Sequence, residues 1–567
     1  MPGSPLSLRN LSVSACLLRE GWEPAESLST TAQDDVVWGA WRDSAPLPDL
    51  VDEIRTHPTF GDVLTAELHQ QRRPPAWLRL LGATTGMPST ILGGEASGAV
   101  LFCPVPDDDG VLRWIAWTFG TGSRWLRRPA TEPRFGLMVA LNLVARGAVD
   151  ARDLGLREVA FHQPSPYPQR TASRSARLTP VGGFRLDPRS DLLAVIAGRS
   201  GAALLGDVRG GRPIQLHTDV TSPDDLPLLS VDLLAYYHAQ DYHAAFAWVD
   251  NIVPVSDQLV VAKLRQALAD TIRATPNSPN VDVLLPDDFT SRDDERSVSY
   301  ILLPHEQKRG ACRTTLTMPI IEALIIKATA DEGLDADLRF LDHAYAPLGP
   351  ATVLECLTAE LELDREHYIL HDGDFYRVVP AFIEGIDAAI DRIPISAIVL
   401  PPYRGGREDT YNKDAGKAMP SEVVVLDREL IRLPGEAGIE ACDLIHKNGA
   451  LIHVKRKGRS SVFSHLCFQA SNSCRVLRSS SEARSQVTDM ARTKATDPKL
   501  FQAVAATIAG LSKYGAACEV TFAILGDWRD RTVRNLPLFS RISLVETTQA
   551  IESMGFQPTI ALIDQPS

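Results

Sequence analysis

The stretch Ile439-Glu440-Ala441-Cys442-Asp443-Leu444-Ile445-His446-Lys447-Asn448-Gly449-Ala450-Leu451-Ile452-His453-Val454-Lys455-Arg456-Lys457 carries the clearest element order in the chain. Two apolar runs flank Asn448-Gly449, a strong short-range hairpin signal, which predicts strands over 439–446 and 450–457. A helix is predicted over 461–476, with Ser460 or Ser461 placed to cap it. Upstream lie a short helical segment over 408–416 and a strand over 423–426. Downstream lie a buried strand over 518–525, a short strand over 542–544 and a helix over 547–554. The order is helix, strand, strand, strand, helix, strand.

The remainder of the chain reads as mixed α/β without an internal repeat. Strands are expected over 96–102 and 113–119, joined by the acidic turn Asp107-Asp108-Asp109-Gly110, and a buried helix over 135–144. Residues 164–183 are rich in Pro, Ser and Arg and read as a loop, and glycines cluster over 201–211. Helices are expected over 231–249, 257–274 and 319–330, and a hairpin over 368–379 around His371-Asp372-Gly373-Asp374. The stretch Leu400-Pro401-Pro402-Tyr403-Arg404-Gly405-Gly406-Arg407 reads as a boundary. Three domains follow: a mixed α/β domain over 1–205, a helix-rich domain over 206–400 and a third domain over 401–567.

The chemistry concentrates in the third domain. Residues 444–481 contain no Asp or Glu, and Lys447, Lys455, Arg456, Lys457, Arg459, Arg475 and Arg478 give that window a charge of +7. Such a run is often a solvated face. Here it falls on a hairpin and the start of a helix, whose N–H groups attract phosphate. His453 and Lys455 alternate with Val454 and so project from one strand face. An acid on one strand and an x-Lys pair on the next is what metal-dependent phosphodiester cleavage needs: the acid holds a hard divalent ion that activates water, and the Lys steadies the water and the developing charge. A two-residue turn would set Asp443 opposite Val454 and put Glu440 on the face of Lys455; a three-residue loop would set Asp443 opposite His453. Both registers are open, and an ordinary charged hairpin would carry the same residues.

This strand order and residue pair resemble the restriction-endonuclease-like superfamily with its PD-(D/E)xK pattern, most closely its Mrr-type branch. There a Gln-x-Lys strand follows an Asp-containing strand. Asp443-Leu444-Ile445 matches the first and His453-Val454-Lys455-Arg456 the second. The resemblance implies a multidomain α/β (α+β) chain ending in a restriction-endonuclease-like core of helix, mixed sheet, helix and strand. It implies a metal-dependent nuclease with catalytic Asp443, His453, Lys455 and Glu440, using Mg²⁺ or Mn²⁺. Asp443, Glu440 and, from the first helix, Glu408 would hold the ion. Lys447, Arg456, Lys457, Arg459, Ser461 and Arg475 would contact nucleic acid, DNA in preference to RNA. His453 stands where Glu, Asp or Gln is usual; imidazole suits Mn²⁺ better than Mg²⁺, and the residue could serve as a general base or mark a degenerate site.

The whole chain also resembles a sporadically distributed, uncharacterised bacterial family often encoded in mobile or defence islands. The matching segments include Trp248-Val249-Asp250-Asn251-Ile252, Tyr411-Asn412, Ile439-Glu440-Ala441-Cys442-Asp443-Leu444, Ile452-His453-Val454-Lys455-Arg456, Ser464-His465-Leu466 and Leu536-Pro537-Leu538-Phe539-Ser540. It implies a nuclease in defence against phage or plasmids, or a non-catalytic nucleic-acid sensor or scaffold in such a system, with a partner protein or a two-fold homodimer suited to double-strand cleavage.

Composition sets the outer bounds. With 567 residues, 44% hydrophobic and 23% charged, the chain has ample material for real cores. No apolar run reaches a membrane span and no secretory signal is visible; with eight scattered cysteines lacking any CxxC, reduced thiols in a cytoplasm are expected. Thr118-Phe119-Gly120-Thr121-Gly122-Ser123-Arg124 lacks P-loop spacing, and no HExxH, zinc spacing or GxSxG occurs. The net charge of −13 argues against a general nucleic-acid coat, but leaves room for a basic cleft in an acidic body.

Overall fold

The computed structural model describes residues 11–28, 38–41, 53–57, 61–65, 98–107, 109–120, 122–146, 156–163, 170–179, 192–200, 205–218, 225–275, 278–286, 298–304, 312–341, 343, 347–433, 438–458, 460–512, 518–528 and 532–565. They build a mixed α/β protein with several sheets. Two compact units emerge: Met1–His162 with Thr171–Pro254, and Gln163–Arg170 with Val255–Ser567. Among the described residues no helix is long and apolar enough to cross a membrane.

In the first unit the strands β1 (Leu11–Leu17), β2 (Gly98–Pro106), β3 (Leu112–Gly120), β4 (Leu156–Gln163), β5 (Arg170–Thr179), β6 (Leu192–Arg199), β7 (Leu205–Gly210) and β8 (Ile214–Thr218) form one sheet in the order β2-β3-β1-β8-β7-β6-β4-β5. The expected acidic hairpin joins β2 and β3, Asp107 Oδ1 accepting from the amides of Asp109 and Val111. Helix α1 (Phe135–Ala145) crosses this sheet at very short range, since a Cβ on Gly136 would meet the Pro213 backbone at 2.1 Å and one on Gly210 the Gly136 carbonyl at 1.9 Å. Only glycine fits at both points. The polar residue of this helix, Asn142, is fully buried and satisfied: its Nδ2 donates to the carbonyls of Met138, Tyr236 and Ala239, and its Oδ1 accepts from Tyr242 N.

Two expectations need correction here. The loop expected over 164–183 contains β5, and the described part of the glycine cluster, Gly206, Gly210 and Gly211, lies in β7 and its connection to β8, inside the sheet. Gly and Pro density marks a tight connection between paired strands as readily as a linker.

In the second unit, helix α2 (Gln258–Ala274) begins where expected, with Asp257 Oδ1 accepting from the amides of Leu259 and Val260. The strands β9 (Leu357–Leu363), β10 (Glu366–His371) and β11 (Asp374–Val378) form an antiparallel meander. The expected hairpin is present, its turn set by positive φ at Asp372 (53°) and Gly373 (80°). The helix expected over 319–330 splits into Met318–Ile326 and Ala330–Leu334, the second closed by a Thr329/Glu332 capping box. Most of the acidic stretch 286–296 lies outside the described residues.

The C-terminal layer positions the chemistry. Helices α3 (Pro380–Ile390) and α4 (Glu408–Ala418) lead to strand β12 (Val423–Val425), then β13 (Leu444–His446) and β14 (Leu451–Arg456). Helices α5 (Ser460–Ser479), α6 (Ser481–Lys494) and α7 (Pro498–Gly510) follow, then β15 (Glu519–Gly526), α8 (Leu538–Ser553) and β16 (Gln557–Asp564). The sheet order is β12-β13-β14-β15-β16; the first three strands are antiparallel neighbours, and β14, β15 and β16 run parallel. Leu444, Ile452, Val454, Ala523 and Leu525 pack with Tyr411 and Ala415 of α4 on one sheet face.

The stretch Leu400 to Arg407 is an ordered lead-in, not a bare break: Tyr403 N donates to Asp564 O, and Tyr411 Oη donates to Pro401 O. The strand expected over 542–544 is a further correction, because Ile542 and Leu544 lie within α8. Its buried residues Leu538, Ile542, Val545, Thr548 and Ile551 recur at helical spacing, and that longer pattern overrides the apolar alternation of Ile542-Ser543-Leu544.

Candidate active site

Hairpin geometry settles the register. Leu444 pairs with Ile452 and Ile445 with Leu451, so the loop is Lys447-Asn448-Gly449, the three-residue alternative; beyond that the simple ladder breaks, Asp443 N donating to Ile452 O at 3.0 Å. Gly449 takes the left-handed position that a three-residue loop requires, with φ 91°. Its missing Cβ also makes room for α7, where Thr507 Cγ2 would lie 2.2 Å away.

The strand expected over 439–446 is broken, and Asp443 is the reason. Ile439–Glu440 pairs with Leu430–Ile431, and only Leu444–His446 joins the main sheet. Between them Asp443 Oδ2 accepts from Val454 N at 2.7 Å, so a side chain replaces the ladder partner. Its other oxygen accepts from Asn412 Nδ2 at 3.1 Å. Asn412 lies one helical turn after Glu408 on α4 and is fully buried, with its own Oδ1 unpartnered.

Glu408 closes the constellation. Its Oε2 accepts from Lys455 Nζ at 3.0 Å and its Oε1 from Arg456 N at 3.0 Å. Helix α4 therefore holds both the Asp443 carboxylate, through Asn412, and the Lys455 ammonium, through Glu408. Glu440 belongs to the small two-stranded pair, where its Oε2 accepts from Gln469 Nε2 of α5 at 2.7 Å. Burial raises the pKa of Asp443 to about 7, the Val454 amide works against that rise, and the charges of Asp427, Glu440 and Glu408 add to it. These acids thus act on one another, with Lys455 as the cation between strand and helix.

His453 is 2% exposed, and burial depresses its pKa to about 4. The ring is neutral, and its Nε2 has no partner. His465 of α5 also faces this region, its pKa lowered by burial and by Lys455.

The basic residues do not form one face. Arg456 is exposed beside Glu408, and Lys457 lies over the Trp528 ring at 4.7 Å, both at the end of β14. Lys447 sits at the opposite end of that strand, in the hairpin loop, paired with Glu422 at 2.7 Å. Arg475 is exposed far along α5, about 22 Å from its start at 1.5 Å per residue. Arg478 supports the fold: it donates to Leu511 O and stacks on Phe556. Arg459 lies outside the described residues, and Ser461 falls in the first turn of α5 with its side chain outside them.

Sequence reasoning passed over Asn412 as a positioning residue, Asp427, and the His465/Gln469 pair. The Glu408–Asn412 spacing of four is the one signal that could have found the first, since it puts both residues on one helix face. Spacing says nothing of Asp427, which approaches Asp443 through the sheet.

The chain belongs to a family of unknown function, DUF6119, whose model matches residues 13–564. No curated protein and no solved structure matches it.

Proposed function

We propose that this DUF6119 protein is a metal-dependent nuclease that cleaves phosphodiester bonds of foreign DNA, with its active site on α4, β13 and β14. The observation that carries the reading is that one helix, α4, holds both groups: Asn412 bonds the Asp443 carboxylate and Glu408 the Lys455 ammonium, with Glu408 among the charges acting on Asp443. The order helix, antiparallel three-strand meander, helices, parallel strands supports a resemblance to the restriction-endonuclease-like core, in which Glu408, Asp443 and His453-x-Lys455 would serve as the PD-(D/E)xK set. A role against phage or plasmids follows by family analogy.

Among the described residues no group of three or more His, Cys, Asp or Glu side chains is arranged as a ready metal cage. The donor set nevertheless suits Mg²⁺ or Mn²⁺, which bind through one or two carboxylates and keep several waters. Asp443 and Glu408 are the residues that would hold the ion; burial is the main cause of the raised Asp443 pKa, and a cation would offset both it and the smaller repulsion from Asp427, Glu440 and Glu408. Bound there, it would polarise the phosphate and supply a more acidic water. Asn412 and the Val454 amide fix the Asp443 carboxylate, Glu408 holds Lys455 in place, and the Lys455 ammonium stabilises charge developing on the phosphate.

The test is cleavage of plasmid, linear DNA and RNA by the full chain in Mg²⁺ or Mn²⁺. Expected is EDTA-sensitive cleavage that falls at least about 100-fold in Lys455→Ala and in Asp443→Ala. Full activity in either variant, or no cleavage of any substrate, overturns the reading. One observation favours a second reading: a buried, neutral His453 stands at the position of the usual acid. A non-catalytic nucleic-acid sensor built on the same core would bind with a steep salt dependence and turn nothing over.

A further inference from the structure

Arg428 adopts a left-handed backbone, φ 63°. It is the third residue of a turn closed by Glu429 N donating to Leu426 O at 2.9 Å, a position that calls for glycine. The other described non-glycine residues with positive φ, Asp364, Arg365 and Asp372, lie in the loops of the β9–β10 and β10–β11 hairpins, where such a backbone is required. No hairpin asks for it at Arg428. Strain kept against a cheaper residue points to what the side chain does.

That side chain reaches the candidate site. Arg428 Nη2 donates to Asp409 Oδ2 at 3.2 Å, and Arg407 Nε donates to Asp409 Oδ1 at 3.2 Å. Asp409 adjoins Glu408 at the start of α4. The turn bearing Arg428 is also tied to the backbone of the residue carrying the other carboxylate: Leu426 N donates to the Asp443 main-chain carbonyl at 2.8 Å, and Asp427 is one of the charges acting on Asp443. The two arginine side chains are 76% and 63% exposed, whereas Asp409 is 17% exposed. One mostly covered carboxylate therefore aligns two guanidiniums at the rim of the site, with most of their N–H donors directed to water.

We propose that Arg407 and Arg428, tied by Asp409, clamp the backbone phosphates that flank the scissile bond. The inference rests on the nuclease reading above. Guanidinium suits this task because its planar fork matches phosphate oxygens, and such contacts hold a duplex in register without reading its sequence. Glycine at 428 would relax the turn and lose the contact, so the chain gives up turn comfort for a phosphate ligand.

The experiment measures anisotropy of a labelled DNA duplex with the full chain in EDTA, across a salt series, for wild type, Arg407→Ala, Arg428→Gly and the double variant, with thermal midpoints alongside. Expected is a plot of log K against log salt that becomes shallower by about 0.9 per lost phosphate contact, about 1.8 in the double variant. Binding should weaken equally for unrelated duplex sequences. Arg428→Gly should melt no lower than wild type, which an arginine kept only for its ion pair would not allow. Wild-type slope and affinity in Arg428→Gly and in Arg407→Ala, in a protein that still cleaves, overturn the clamp and leave the nuclease reading standing. A wild-type chain that neither binds nor cleaves overturns both.

Discussion

Asn412 offers a sharp test of the site, because its two amide atoms have opposite fates. Its Nδ2 supports a carboxylate, while its Oδ1 is buried without a partner. Replacing it by leucine, of similar size, removes a hydrogen bond to a charged acceptor worth about 1.5–3 kcal/mol. The same change removes an unsatisfied buried oxygen whose cost is about 1–3 kcal/mol. The two nearly cancel, so Asn412→Leu should alter local stability by about 1 kcal/mol or less. Native-state hydrogen exchange over 443–456 reads this directly, since the Val454 amide donates to the same Asp443 carboxylate. Exchange there should change less than about tenfold. Cleavage should nevertheless fall about 10- to 100-fold, as Asp443 loses one of its two orienting partners. Exchange accelerated more than about 100-fold, near 2.7 kcal/mol, would refute the reasoning, because the Oδ1 would then have been satisfied and its removal would offset nothing.

Gly449→Ala should destabilise the second unit by about 2 kcal/mol or more, combining a left-handed alanine with a Cβ overlapping Thr507, and a lowered thermal midpoint would register it. A smaller loss would mean that α7 can retreat from the hairpin. His453 supplies an acid-lability test. Its folded pKa, about 4, lies below the unfolded value near 6.5, so the unfolded chain binds the proton first and stability drains as pH falls from about 6.5 to 4. The drain should approach about 3 kcal/mol, and His453→Leu should remove that part of the pH dependence of denaturant midpoints; an unchanged profile would show the ring is not buried neutral.

Sequence made the layout of residues 408–564 legible where the signal was local. Asn448-Gly449, the second apolar run and the helix after it appear within three residues of expectation, whereas the first run forms its strand only over Leu444–His446. Register was not legible, since a one-residue difference in loop length moves Asp443 between Val454 and His453, and the glycine's fit against Thr507, some sixty residues away, comes only with the folded layer. Charge was misleading in a similar way. The +7 window counts residues near one another in sequence, but Lys447 lies in the hairpin loop before the strand Leu451–Arg456 and Lys455 near that strand's far end, and Arg478 is spent on Leu511 and Phe556. The rim arginines, Arg407 and Arg428, lay outside that window, each beside acids that cancelled them in any running sum.

The parallel pairing of β14 with β15 has a consequence for synthesis. The hairpin can close as soon as Arg456 leaves the ribosome, yet its second edge must wait for Val520, which pairs with Leu451 across nearly seventy residues and three helices. At about 5–20 residues per second that edge stays open for roughly 3–14 seconds. During the interval Leu451, Ile452 and Val454 offer an unpaired apolar ribbon to any neighbouring chain. Lys455, Arg456 and Lys457 at its end are then the gatekeepers of a nascent strand before they have any site to serve. Replacing all three with neutral residues would be expected to trade soluble yield for aggregate on the ribosome, even where the finished fold could tolerate the change.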